Sequence, residues 1–114
     1  MSDDVIYINA DTGSKRVMCN FKLYAKLLTK FKDDPNFNEM TSALAEGDMQ
    51  KAQSFAHALK GIAANLSLIE LHKQSVELEA QIKAGSVNPD QVASVKDVHA
   101  QTLTEVDKVI AKYA

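Results

Sequence analysis

The stretch AHALKGIAANLS, residues 56–67, combines side chains whose spacing could support chemistry on the surface of a helix. His57 is followed by a lysine after three residues and by a glycine after four. Because helical side chains lean toward the N-terminus, positions 60 and 61 lie over the imidazole. A glycine inside a helix costs about 1 kcal/mol relative to alanine, so its presence at position 61 calls for a reason. Without a side chain, Gly61 leaves room for another molecule to approach the ring, and Lys60 brings a cation that can neutralise an anion there.

The helical projection of residues 48–66 places this histidine on the side that faces away from the core. The apolar side is made of Ala52, Phe55, Ala56, Leu59, Ile62, Ala63 and Leu66. The outward side carries Gln50, Gln53, Ser54, His57, Lys60, Gly61 and Ala64. Gly61 and Ala64 keep this surface low, so a partner can come close. We expect the partner to dock around Gln53, His57, Lys60, Gly61 and Ala64.

Length and composition indicate one helical domain. The 114 residues include four glycines, two prolines and no tryptophan, which suits a helical protein better than a sheet rich in turns. The formal net charge of -2 leaves no positive excess that would favour nucleic acid or an anionic membrane as a partner. A protein or a small molecule is the expected partner.

The single cysteine and the N-terminus bear on the cellular compartment. Cys19 cannot form an internal disulfide, and we expect it to be a small residue packed in a helix. The chain opens with acidic residues, and no apolar run of 18 residues follows. These features predict a cytoplasmic protein.

Helix-start and helix-stop signals divide the chain. A short helix is predicted over residues 11–18, after a segment VIYIN that packs against the bundle either extended or as an irregular turn. Asn20 is a suitable N-cap for the helix that ends before Pro35, and residues 38–46 form the next helix, interrupted at Gly47. Asp48 can cap the helix that carries His57.

Two further helices follow. Ser67 and Glu70 have the spacing of a capping box, which predicts a helix from Ser67 to Ala84 that ends at Gly85. Pro89 then begins the last helix, since proline is favoured at the first helical position. Four substantial helices with one apolar stripe each predict an all-α fold, an antiparallel four-helix bundle with a short N-terminal helical or extended addition, as a single domain over residues 1–114.

The motif around His57 also resembles a known family. His57, Leu59, Lys60 and Gly61 match the H-x-L-K-G pattern of the histidine-containing phosphotransfer (HPt) family of phosphorelay proteins. The resemblance extends to the YAKLLTKF segment before the motif, the EGD break and the LIELHKQSVELE segment after it. It covers about residues 20–85.

The resemblance implies a function and its partners. His57 would accept a phosphoryl group from the aspartate of a receiver domain and pass it to another receiver. The implied partners are response-regulator receiver domains and hybrid sensor kinases, which supply the Mg²⁺, so no cofactor of its own is expected. Glu79 falls where some members carry a glutamine that bonds the histidine. No Walker loop or kinase glycine-rich loop is present, so we expect a monomeric intermediate that is not an enzyme and has no autokinase activity.

Three alternatives stay open at this point. A receiver-binding helical adaptor that is not phosphorylated would keep the docking face, but it would have little reason to keep His57, Lys60 and Gly61 together. A general-base enzyme would need a pocket, which a convex helix face does not supply. A metal site made by His57, His72 and His99 lacks a histidine pair on one helix face. We expect His72 on the surface and His99 half-buried with a hydrogen bond.

Overall fold

A computed structural model describes residues 5–113 of the chain, and these residues form six helices and no strand. The helices are α1 (Ala10–Lys15), α2 (Phe21–Lys32), α3 (Asn36–Glu46), α4 (Met49–Asn65), α5 (Ile69–Ala84) and α6 (Pro89–Tyr113). The predicted all-α fold is confirmed. The single domain predicted over residues 1–114 also includes residues 1–4 and 114, which lie outside the described range, and it stays a prediction.

The helices form a four-helix bundle in which the consecutive helices α2 and α3 together take the place of the first helix. Pro35 separates α2 from α3, and Phe31 of α2 and Phe37 of α3 both pack on the ring of His99 in α6. The helix α4 packs against α3 and α5, and α6 packs against α5 and α2. Each helix has one apolar stripe, and only mutual packing removes all the stripes from water. The predicted bundle is confirmed.

The ends of the helices follow local signals in most places. The side chain of Asn20 accepts a hydrogen bond from the backbone N–H of Leu23, and Asp48 accepts one from Lys51. Gly85 adopts a left-handed φ of 73° directly after α5, a conformation that glycine takes at no steric cost. The predicted caps at Asn20 and Asp48 and the predicted end at Gly85 are confirmed.

The predicted capping box at the start of α5 is wrong. Ser67 adopts a left-handed φ of 55° in the turn between α4 and α5, and Leu68 is the N-cap, with no side-chain cap bond. The Ser67 hydroxyl accepts a hydrogen bond from the Thr12 hydroxyl at 2.8 Å, and its carbonyl accepts one from the Asn9 N–H at 3.0 Å. Ser67 therefore binds the N-terminal addition instead of capping α5, as its spacing to Glu70 had predicted.

The N-terminal addition covers the end of the bundle. Residues 5–9 belong to no helix or strand, Asn9 is extended, and Tyr7 and Ile8 pack against the core, as predicted. Tyr24 of α2 is fully buried, and its hydroxyl donates a hydrogen bond to the Leu66 carbonyl at 2.5 Å. Burial raises the pKa of Tyr24 to about 12. This bond ties α2 to the end of α4, the helix that carries His57.

The segment between α1 and α2 differs from the prediction. The helix expected over residues 11–18 ends at Lys15, and Met18 and Cys19 adopt left-handed φ angles of 56° and 59° that a right-handed helix cannot contain. Cys19 is exposed in this turn. The prediction that Cys19 packs inside a helix is therefore wrong.

Candidate functional site

His57 lies near the middle of α4 on the outward side. The preceding residue, Ala56, and Leu59 are fully buried, which fixes the rotation of the helix, whereas 70% of the His57 side chain is exposed. The prediction that this histidine faces away from the core is confirmed. Its ring is open to a partner.

The surface beside His57 carries the small residues Gly61 and Ala64, as the sequence indicates. Gly61 is exposed, and a Cβ atom built there would meet nothing within 4 Å. Gln53 and Ala64 are half-buried at neighbouring turns of the same helix. The bundle itself therefore does not require a glycine at position 61, so the open space is available to a molecule from outside.

A buried carboxylate on the neighbouring helix contacts His57. Glu79 of α5 is 2% exposed and lies between the buried Leu78 and the buried Ile82 one turn on. Its Oε2 is 3.1 Å from Nδ1 of His57. The glutamate that the resemblance places near the histidine is thus a direct neighbour of the ring.

Two lysines also contact the Glu79 carboxylate. Lys60 Nζ lies 2.7 Å from Oε1, and Lys83 Nζ lies 3.6 Å from Oε2. Lys60, expected to neutralise an anion at the ring, is therefore paired with a carboxylate of this chain. Lys83 is not among the residues predicted from the sequence, although its spacing of four residues from Glu79 on one helix is a signal for an ion pair. We call His57, Lys60, Glu79 and Lys83 the His57 site.

The electrostatics of this site fix the state of Glu79. Burial on its own raises the pKa of Glu79, but hydrogen bonds from Lys60 and His57 and the positive charges of Lys60 and Lys83 outweigh it and hold the pKa below its ordinary value. An ionised carboxylate can only accept hydrogen bonds, so Nδ1 of His57 carries the hydrogen. In the neutral ring the lone pair then lies on Nε2, the nitrogen that does not contact Glu79.

The other two histidines lie on other helices than His57. His72 on α5, which was expected on the surface, is half-buried. His99 on α6 is half-buried, as predicted, but the expected hydrogen bond is not found within residues 5–113. Its ring instead stacks on Phe37, with centroids 3.8 Å apart. Burial lowers the pKa of His99, and the charge of Asp34 opposes this shift.

Fold and site together define a helical-bundle protein that presents one exposed histidine oriented by a buried carboxylate. The family model for the Hpt domain matches residues 26–111, which is more than half of the chain. The chain therefore belongs to the Hpt domain family, whose members act in histidine phosphotransfer within phosphorelays and interact with receiver domains of response regulators. Comparisons with curated proteins and with solved structures give no significant match.

Within residues 5–113, no helix combines the length and the hydropathy that a membrane crossing needs.

Proposed function

We propose that the chain is a phosphorelay intermediate that accepts a phosphoryl group on His57 from a receiver aspartate and passes it to another receiver. The observation that carries this proposal is the exposed imidazole whose Nδ1 is held by the buried, ionised Glu79. That contact leaves Nε2 as the nucleophile and points the reactive side of the ring to solvent. No separate general base is needed, because a neutral imidazole already offers a lone pair.

In the proposed step the lone pair of Nε2 forms the N–P bond. The P–O bond to the receiver aspartate breaks, and its electron pair returns to the aspartate carboxylate. The hydrogen stays on Nδ1, where it is hydrogen-bonded to Glu79, so no proton leaves the ring. Onward transfer is the reverse sequence toward a second receiver. Lys60 reduces the negative charge around the ring from its position on Glu79.

The rest of the catalytic apparatus comes from the partner. Phosphoryl transfer depends on alignment and on charge neutralisation, and the receiver supplies the aspartate and the Mg²⁺. We propose receivers of response regulators and of hybrid sensor kinases as partners. The chain acts as a monomer in the cytoplasm and does not form phosphohistidine from ATP by itself.

We place the docking surface on the row formed by Gln53, His57, Gly61 and Ala64. A groove of about 310 Å³ lies near the C-terminal end of α4, and its wall includes Asn65, about one turn after Gly61. The groove is lined by Leu27, Lys30, Phe31, Asp34, Ile62, Asn65 and Leu66. A receiver that covers the histidine would fill the groove with apolar side chains, since its lining is largely apolar.

The decisive experiment is incubation of the chain with phosphorylated receiver domains. We expect acid-labile, base-stable label on the wild-type chain and on His72→Gln, the matched control, and none on His57→Gln. Label on His57→Gln would refute the assignment of the phosphoacceptor. Binding of the receiver without any label on the wild-type chain would favour the unphosphorylated adaptor.

A further inference from the structure

The Glu79 carboxylate holds its two lysines unequally. The 2.7 Å contact of Lys60 has the length of a strong charge-assisted hydrogen bond, and 29% of this side chain is exposed. The 3.6 Å contact of Lys83 is longer than a hydrogen bond, and 56% of this side chain is exposed. Lys83 is therefore the lysine that can leave Glu79 at the lower cost.

Lys83 also lies beside the reactive ring. Its ammonium contacts Oε2 of Glu79, the same oxygen that accepts the hydrogen bond from Nδ1 of His57. Lys83 follows Glu79 by one helical turn, and helical side chains lean toward the N-terminus, which directs its ammonium to Glu79 and so to the side of the ring that Glu79 contacts. The lysine side chain is flexible and more than half exposed, so its ammonium has room to move from Oε2 to a group on the neighbouring ring.

The charges of the His57 site make one lysine available to a phosphoryl group on Nε2. Lys60 and Lys83 contribute two positive charges and Glu79 one negative charge, so the site has one positive charge in excess. A phosphoryl group on Nε2, with the hydrogen kept on Nδ1, adds one net negative charge. The Nδ1–H of His57 pairs only Oε2 of Glu79, so Lys60 must stay at Oε1, because a buried carboxylate oxygen without a partner is strongly unfavourable.

We infer that Lys83 binds the phosphoryl group on His57, while Lys60 stays on Glu79 as a positioning residue. This inference rests on the proposed function. When the phosphoryl group arrives, the Lys83 ammonium exchanges its contact with Glu79 for the phosphoryl oxygens, and it returns when the group leaves. Lys83 lies outside the H-x-L-K-G motif and on a different helix, so the motif does not indicate this role.

The test uses phosphoramidate as a small phosphodonor, so that no receiver is needed. Lys83→Met removes the charge and keeps the length, Lys83→Arg keeps the charge, and Lys73→Met is the control on the exposed side of the same helix. We expect Lys83→Met to form phosphohistidine about tenfold more slowly, a smaller loss than the roughly 10²-fold typical of a buried donor because Lys83 is exposed. Lys83→Arg should recover most of the rate.

Two further readouts separate this role from a structural one. In about 1 M salt, where the Debye length is about 3 Å, the difference between wild type and Lys83→Met should shrink. On phosphorylation of the wild type, the side-chain NMR signals of Lys83 should move more than those of Lys60. Equal rates for Lys83→Met and Lys73→Met, or a shift confined to Lys60, would overturn the inference. Absence of phosphohistidine in the wild type would instead refute the proposed function.

Discussion

Replacing Gly61 by leucine separates the stability of the bundle from access to the histidine. A Cβ atom at this exposed position meets nothing within 4 Å, so the substitution gains the full difference in helix propensity. That difference is about 0.8 kcal/mol, which raises Tm by about 3 °C in a chain of this length. The leucine side chain leans back over the imidazole of His57 and keeps a receiver from close approach.

Misplacement of reacting atoms by 1 Å can cost about 10²-fold, so we expect transfer from a receiver to Gly61→Leu to fall at least tenfold. Gly61→Ala is the matched control, because it gains a similar propensity and adds only a methyl group. Circular dichroism melts and the rate of label transfer are measured on the same samples. A folded Gly61→Leu protein that is labelled at the wild-type rate would refute the reasoning, and a lower Tm would show that the space is not open.

Three further predictions concern stability and docking. The pKa of Glu79 is lowered on folding, so as pH falls the unfolded state takes up a proton at Glu79 before the folded state does. Below the ordinary pKa of 4.5, denaturant unfolding should therefore show a larger loss of stability in wild type than in Glu79→Gln. Parallel curves of stability against pH for the two proteins would contradict this. Gly13→Ala places a Cβ atom against the ring of the buried Tyr24 and should cost about 1–3 kcal/mol by urea unfolding; an unchanged midpoint would show that the ring moves freely. Ala64→Glu should weaken receiver binding in titrations and leave phosphorylation of His57 by phosphoramidate near the wild-type rate. Normal receiver binding by that variant would place the docking surface elsewhere.

Local signals in the sequence determined the helices and the face that carries the histidine. The caps at Asn20 and Asp48 and the stop at Gly85 depend on residues within four positions, so spacing alone predicts them. The outward direction of His57 follows from the apolar period of its own helix. Gly61 is recognisable for the same reason, since its cost and its position above the ring are properties of one helix.

Only the tertiary structure decided which groups meet across helices. Ser67 has the spacing of a capping box with Glu70, but Thr12 and Asn9 lie far away in the sequence and bind it instead. Glu79 is a charged residue on a helix of mixed polarity, and its burial against His57 and Lys60 depends on the packing of α5 against α4. A carboxylate in that position draws both Lys60 and Lys83 to itself, because a buried charge must be paired. The periodicity of one helix carries no information about the register of its neighbour, so the sequence indicated the candidate histidine and the fold assembled the charges around it.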